Sequence, residues 1–450
     1  MAVDPLGSYS SDSSAALSTG SAKKCAWLLQ SEIVRNWKQL LGVWVTFFIT
    51  AGMTYHAPPV MLPAIMAEFG TDQYGVSWLP AVFQLCKGVL SIPGGYALHH
   101  YGCHFCFKAG SVLILAAAVL YPLAPSLWLL AGLHGVYGAA YDLCGMGPVI
   151  VWATTWFQRS PALAIGLLAS AFSTAAIVFS PLTASLVQHH GWRLASLLCP
   201  VLMLLVAVPV SFKVVQDGPR RHQRLQGSSG LSFRRSLCLP AVWHLAFLQL
   251  YQLYIMIALI NSLVMFLKTD VGMSLELSGV YSSIVFQAAT ISKLLMGVAM
   301  DSEFQSLAGL LGCLLLLSAT LMPLDLTSGG RTLTHNWGQL LGFVVVLGLA
   351  QGMCFNLVCS KAAKMFGRMP EYSKLQSFFM TFQMIGGFLG TLVTGKLRAR
   401  SGDYTLSFYV FIVMALLGCC HYLCLERCRW KMEARNEVSE PIPTIRVSPA

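Results

Sequence analysis

About twelve apolar stretches, in two groups of roughly six, constrain this chain more than any other feature of its sequence. Each stretch is close to the ~20 apolar residues that an α-helix needs to cross the hydrocarbon core of a bilayer. Segments in lipid must satisfy every backbone amide internally, so open spans of this kind are helices. The predicted spans are 40–64, 76–98, 105–123, 127–153, 163–187, 194–212, 242–267, 277–300, 307–322, 337–358, 378–397 and 406–425. The sequence therefore predicts an all-α membrane protein.

The composition supports this fold class and excludes a soluble one. Apolar residues make up 56% of the chain and charged residues only 10%, whereas a soluble domain carries roughly 25% charged residues. The net charge of +11 would also suit a nucleic-acid-binding protein, but the bases are grouped in segments between the spans. We therefore expect a lipid bilayer as the partner, and no nucleic acid.

The basic residues also predict the orientation of the chain. They gather in four segments that fall on one side of the membrane if the spans alternate, and the positive-inside rule makes that side cytoplasmic. Their members are Lys23, Lys24, Arg35, Lys38, Arg220, Arg221, Arg224, Arg234, Arg235, Lys361, Lys364, Arg368, Lys374, Arg427, Arg429, Lys431 and Arg435. Three bases, Lys396, Arg398 and Arg400, are the exception and fall outside. We expect a multi-pass protein with both termini cytoplasmic, in the plasma membrane by default or in an organelle membrane.

Five segments follow from this arrangement. We expect a cytoplasmic N-terminal tail at 1–38, a six-helix bundle at 39–212 and a second bundle at 239–425. Between the bundles, residues 213–238 are polar, basic and rich in Gly and Ser, as a flexible linker should be. The charged, Pro-containing C-terminal tail at 426–450 is expected to be disordered.

A short motif repeats in the two predicted bundles. Gly95 and His99 lie at the end of the second span with the same spacing as Gly297 and Asp301 at the end of the eighth. A glycine allows two helices to approach closely, and the polar residue can cap a neighbouring helix end. The motif resembles the signature loop of the major facilitator superfamily, Gly-x-x-x-Asp-Arg-x-Gly-Arg, although the first copy has His99 in place of the aspartate. This resemblance implies two six-helix bundles whose loops gate the conformational change and do not bind substrate.

Further segments are similar to one branch of that superfamily. The stretch from Trp156 to Gly166 resembles the segment that opens the fifth helix of monocarboxylate and oxalate/formate transporters. Gly191-Trp192-Arg193 fits the turn before their sixth helix, and 402–409 is similar to the segment that begins their last helix. The resemblance covers most of the chain and implies transport of small organic anions.

A basic residue within the eighth span is the leading candidate for substrate binding. Charges inside spans are costly and are functional hypotheses by default. Lys293 lies four residues before Gly297, where the monocarboxylate families carry an arginine that pairs with the substrate carboxylate. The alternative is a structural cation that pairs with backbone or with a helix C-terminus. Gln287, about two turns earlier, is expected to line the same cavity.

The partners of that arginine in the family are only partly present. The aspartate one turn before it is Ala289 here, so the ionisable pair that couples a proton to the substrate is incomplete. In the first span, Tyr55 and His56 precede Pro58-Pro59. Tyr55 could donate to a carboxylate and His56 could carry a proton, and a packing role for the histidine is the alternative.

Two more ionisable residues lie within the first six spans. Lys87 and Asp142 could form a buried pair between the second and fourth spans, either as a structural bridge or as a proton relay. His134 lies eight residues before Asp142 and could extend such a relay.

These observations predict a secondary transporter of small organic anions, most simply monocarboxylates, that works by alternating access with or without proton symport. The alternatives are a facilitator of a neutral or amino-acid-like solute and a non-transporting membrane receptor of the same fold. The sequence contains no Gly-x-x-x-x-Gly-Lys-Ser/Thr loop for ATP. No metal-ligand spacing or nucleophile motif marks an enzyme, and no cofactor is expected.

Overall fold

The structure is a computed structural model that describes residues 32–71, 73–157, 160–219, 232–273, 275–327 and 337–439. Almost all of the described residues are helical. Most of the predicted N-terminal tail, the middle of the predicted linker and the last residues of the predicted C-terminal tail lie outside these ranges.

The first half of the chain forms six membrane-crossing segments, α1 to α6. Their bounds are Trp37–Phe69 for α1, Gln73–Leu120 for α2 and α3 together, Leu127–Cys144 and Met146–Trp156 for α4, and Pro161–Ser196 followed by Leu198–Lys213 for α5 and α6. Two of these ranges each contain a sharp turn, and a glycine with positive φ makes each turn. Gly102 has φ of 88° and Gly191 has φ of 78°, a region that side chains with a Cβ rarely adopt.

The second half forms six more segments, α7 to α12. Their bounds are Pro240–Thr269 for α7, Leu275–Asp301 for α8, Gln305–Thr327 for α9, Trp337–Phe366 for α10, Tyr372–Ser401 for α11 and Thr405–Ser439 for α12. A short helix, Phe233–Ser236, precedes α7 at the end of the predicted linker.

Within the described residues, nine helices are long and apolar enough to span a membrane. One of them bends back at Gly102 and so crosses twice, which makes ten. Two further segments, α4, which is broken at Gly145, and α6, which follows Gly191, bring the number to twelve. The predicted all-α membrane fold with twelve helices in two six-helix bundles is confirmed.

The outer surface of the bundle carries large apolar side chains. On α8, for example, Val280, Ile291, Leu295 and Val298 are 55% to 62% exposed and lie along one face at helical spacing. Such a stripe would be unstable in water, and it identifies the face that α8 presents to lipid.

The first helix continues through Pro58-Pro59, in agreement with the predicted span of 40–64, and contains one wide π-helical turn at Gly52–His56, shortly before the prolines. The final helix does not end near residue 425 but continues to Ser439, so the first part of the predicted disordered tail is helical. At this point Glu426 pairs with Arg429 and with Lys361 of α10, and these contacts anchor the extension.

Candidate functional site between the two halves

The crossing of α5 and α8 joins the two halves and positions the candidate lysine. A Cβ atom added to Gly166 of α5 would lie 2.6 Å from the carbonyl oxygen of Lys293 and 3.3 Å from the Cα of Gly297. The two helices therefore pack backbone against backbone, which only small residues allow. This close approach brings the Lys293 side chain onto α5.

Lys293 is a buried cation whose hydrogen-bonding partners are neutral. Its side chain is 2% exposed, and its Nζ donates to the Ser173 hydroxyl at 2.6 Å and to the Ala169 carbonyl at 3.3 Å. The rings of Phe172 and Phe355 lie 5.4 Å and 5.3 Å from Nζ, within cation–π range. The carbonyl contact is what the structural alternative for this lysine requires.

No carboxylate in the described part of the chain pairs with Lys293. One turn earlier on α8, the position of the family's aspartate holds Ala289, which is fully buried. A buried charge without a countercharge is costly. The described part of the chain therefore leaves the charge of Lys293 without a countercharge.

An aromatic cluster surrounds this lysine on the side of α1. The His56 ring lies 4.5 Å from the Phe172 ring and 5.7 Å from the Phe286 ring, edge to face in both pairs. His56 is 8% exposed, and its Nε2 is buried without a hydrogen bond to any described residue. Phe172 thus contacts both the predicted anion site and the predicted proton carrier.

Tyr55 belongs to the same cluster. Its ring lies 5.1 Å from Phe172 and 5.5 Å from Phe83, and its hydroxyl accepts a hydrogen bond of 3.0 Å from the Gln84 side chain. The hydroxyl can still donate to a ligand, since it has one hydrogen of its own.

Lys87 and Asp142 are both placed between α2 and α4, but they do not form a direct ion pair. Lys87 is 6% exposed, and its Nζ lies 4.4 Å from the centre of the Tyr141 ring and 5.7 Å from that of Tyr55. Asp142 Oδ2 is buried and has no hydrogen bond within the described part of the chain.

His134 lies in a different part of the first bundle from Asp142. Eight residues along α4 correspond to about 12 Å. The His134 ring is instead 5.4 Å from the ring of Tyr121 and 6.1 Å from that of Tyr137. Its Nδ1 is 3.0 Å from the Leu130 carbonyl.

Gln287 is placed away from Lys293. Its side chain is exposed and lies at helical spacing within the lipid-facing stripe of α8. Phe286, seven residues before Lys293, shares the lysine's face instead, because seven residues are nearly two full turns. Gln287 therefore lies outside the group of residues around Lys293.

The two repeated motifs lie where the halves meet at one end of the bundle, the end predicted to be cytoplasmic. The Asp301 carboxylate of α8 accepts hydrogen bonds from the backbone N–H groups of Ala162 (3.3 Å) and Leu163 (2.7 Å). These groups are at the N-terminus of α5, where a negative charge is favourable. Lys364 of α10 completes the contact at 3.4 Å from Asp301.

The first motif makes the corresponding contact between α2 and α11. The Ser91 hydroxyl donates to the Ser377 carbonyl at 3.0 Å, and a Cβ on Gly95 would lie 3.1 Å from the Ser373 carbonyl. His99, in place of an aspartate, lines a cleft together with Pro370 and Ser373. We call the region formed by these two sets of contacts the closed end.

Several residues of the site carried no signal in the sequence. Ser173, Phe172 and Gln84 are ordinary residues in apolar helices, and their partners lie far away in the chain. Ser173 and Lys293, for instance, are 120 residues apart. The structure also gives partners to one of the three exceptions to the charge rule. Arg398 lies 3.8 Å from Asp270, and its guanidinium stacks on the ring of Tyr404.

Comparisons with known proteins agree with this architecture. The sequence profile of the Major Facilitator Superfamily matches residues 43–329 and 245–448. Among solved structures, the human organic anion transporter MFSD10 superposes with a TM-score of 0.70 over 86% of this chain and 99% of that chain, at 12% identity. The transporter FucP in its outward conformation superposes with a TM-score of 0.67 over 85% of this chain and 97% of that chain, at 13% identity.

Curated relatives extend the likeness to sequence. Monocarboxylate transporter 11 of Mus musculus is 24% identical over 84% of this chain and 86% of its own length. Monocarboxylate transporter 13 of Bos taurus is 24% identical over 80% of this chain and 82% of its own. The match to the uncharacterized transporter YcxA of Bacillus subtilis spans only 37% of that protein. Because the superfamily profile covers most of the residues, this chain belongs to the Major Facilitator Superfamily.

Proposed function

We propose that the protein carries small organic anions, and monocarboxylates in particular, across a membrane by alternating access. The observation that carries the proposal is the buried ammonium of Lys293, which has neutral partners and no carboxylate counterpart among the described residues. A carboxylate would supply the missing countercharge through a charge-assisted hydrogen bond. Among the described residues, Lys293 is the one buried lysine that bonds across the two halves without a carboxylate partner, so a single negative charge on the substrate is the better match.

The comparisons support the same substrate class. Two relatives matched over most of their length are named monocarboxylate transporters. The chain departs from that family's pattern at Ala289, so the substrate anchor is the lysine alone, acting as a point charge. Tyr55 is the second candidate contact, since its hydroxyl lies in the same aromatic cluster.

Proton coupling is the finer part of the proposal. His56 is the first candidate carrier, because Phe172 contacts both its ring and the Lys293 ammonium. Asp142 and Lys87 are the second candidates, since Lys87 and the Asp142 Oδ2 atom are buried and the two side chains do not form a direct ion pair. His134 is less favoured because it lies about 12 Å along α4 from Asp142.

The gate of this carrier would be the closed end. Asp301 ties α8 to the N-terminus of α5, and the Gly95 and His99 motif lies against the beginning of α11. Opening of this end requires that these contacts break together. The positive-inside rule, applied to the basic segments, favours the cytoplasmic side for the closed end, with both termini there and the plasma membrane as the default location.

One alternative is supported by a specific observation. The hydrogen bonds from Lys293 to Ser173 and Ala169 could simply brace the two halves. In that case the carried solute would be neutral or amino-acid-like, and Lys293 would not contact it.

Uptake into proteoliposomes distinguishes these possibilities. We expect labelled lactate or pyruvate to enter, faster with an inward acid gradient, and we expect Lys293→Ala to reduce the uptake rate by about 10- to 100-fold, because it removes a hydrogen bond to a charged group. Lys293→Arg should retain part of the activity. Lys396→Ala, which removes an exposed lysine, is the matched control. Equal uptake by Lys293→Ala and the wild type would contradict the anion site.

A further inference from the structure

The hydrogen bonds of Lys293 connect the two halves of the molecule. The lysine belongs to α8 of the second half, while Ser173 and Ala169 belong to α5 of the first. Ser173 is fully buried and Lys293 is 2% exposed. These contacts therefore lie inside the interface and not on the wall of an open cavity.

A ligand that binds Lys293 must displace groups that now lie against it. The rings of Phe172 of α5 and Phe355 of α10 lie 5.4 Å and 5.3 Å from the ammonium, and its hydrogen bonds go to α5. A carboxylate must therefore take the place of the Ser173 hydroxyl and the Ala169 carbonyl. The exchange is favourable because an ionised acceptor binds an ammonium more strongly than a neutral one does.

The same crossing holds the closed end together. Two turns beyond Lys293 on α8, Asp301 accepts hydrogen bonds from the N-terminus of α5. Between these two contacts, Gly166 and Gly297 pack backbone against backbone. A change in the partners of Lys293 thus acts on the helix pair that also closes the gate.

We propose that the Ser173 hydroxyl and the Ala169 carbonyl are internal competitors for the substrate carboxylate. In the empty carrier they hold Lys293 and keep α5 against α8. When a carboxylate takes the lysine, this contact is lost, α5 separates from α8 and the closed end opens. The inference rests on the proposed function, since it requires an anion that binds Lys293.

A native cysteine can report the opening of the closed end. Cys103 is 4% exposed and lines the cleft that His99 shares with Pro370 and Ser373 of the other half. In the purified full-length protein, the rate of Cys103 alkylation by N-ethylmaleimide can be followed by peptide mass spectrometry, with and without L-lactate. Lactate should raise this rate in the wild type.

The decisive variant is Ser173→Ala, which removes one of the two competing acceptors and leaves the lysine in place. Without lactate, we expect Cys103 alkylation to be about five- to tenfold faster than in the wild type, because a hydrogen bond to a charged group has been lost. The lactate concentration that half-saturates uptake should fall by a similar factor. Thr174→Ala is the matched control, since the Thr174 hydroxyl donates only within its own helix, to the Ser170 carbonyl at 2.9 Å.

Two results would overturn the proposal. If Cys103 is alkylated at the same rate in Ser173→Ala and in the wild type without lactate, the Ser173 hydroxyl does not hold the closed end. If the lactate concentration that half-saturates uptake rises in the variant, Ser173 positions the lysine for the substrate and does not compete with it. A wild type that does not respond to lactate would contradict the monocarboxylate function, but the comparison of the two proteins without lactate would still test the competitor role.

Discussion

At the scale of single residues, the interface between the halves is built from a few charges with unusual partners. Lys293 donates to neutral acceptors of α5, while Asp301, on the same helix, accepts from the backbone at the beginning of α5. Both side chains therefore reach across the interface to one helix. Under the proposed function, an anion replaces the neutral partners of the lysine, whereas the aspartate caps the N-terminus of α5 at the closed end.

Glu371 makes a third charged contact at the closed end, outside the spans. Its carboxylate accepts hydrogen bonds from the Lys374 ammonium and from the Phe233 backbone N–H, so it ties α11 to the end of the linker. These two donors lower the pKa of Glu371 below its ordinary value of 4.5.

A lowered pKa predicts how this contact depends on pH. The stabilisation is fully present above the unfolded-state pKa and is lost as the pH falls through the folded-state value. We expect Glu371→Gln to lower the midpoint of thermal unfolding in detergent by a constant amount from about pH 8 to pH 5, with the difference shrinking below about pH 4.5. Glu303→Gln, an exposed acid near the same end, is the control. A difference that changes between pH 6 and pH 8 would contradict this assignment.

At the scale of helices, much of the fold was predictable and the contacts between helices were not. Length and apolar content alone located the twelve segments, because a bilayer requires both. The Gly95 and Gly297 motifs correctly indicated close helix contacts. In contrast, no local pattern reveals that Ser173 meets Lys293, because residues of two halves are brought together only by the packing of the bundles. The helical extension to Ser439 was also missed, since its charged composition is that of a disordered tail.

The crossing of α5 and α8 can be tested with one added side chain. Gly166→Ala places a Cβ atom 2.6 Å from the Lys293 carbonyl oxygen and 2.8 Å from Asn356 Nδ2, so the helices must move apart. Because such overpacking typically costs 1–3 kcal/mol, we expect uptake per reconstituted protein to fall by roughly fivefold or more while the protein elutes as a folded monodisperse species. Gly395→Ala, where no atom lies within 4 Å of the added Cβ, should transport normally. Full activity of Gly166→Ala would show that the closed end does not need this close approach.

At the scale of the whole molecule, the protein has two six-helix halves, one closed end and a buried cation at their interface. The superfamily is shown by the profile match, and the structural neighbours share its fold. The substrate class depends on Lys293 and on the names of distant relatives. The coupling of substrate to gate depends on the fact that one pair of helices carries both the lysine and Asp301.

Alternating-access transport of monocarboxylates through Lys293 can be measured by counterflow in proteoliposomes. Vesicles are loaded with unlabelled lactate and diluted into a trace of labelled lactate, with no pH gradient or membrane potential. An alternating-access carrier of monocarboxylates accumulates label inside the vesicles transiently above its external concentration. Each unlabelled molecule that leaves turns the binding site to the outside, where a labelled molecule can bind and be carried in. We predict this overshoot for the wild type and for Lys396→Ala, and its loss in Lys293→Ala. An absent overshoot in the wild type, or an undiminished one in Lys293→Ala, would contradict the account.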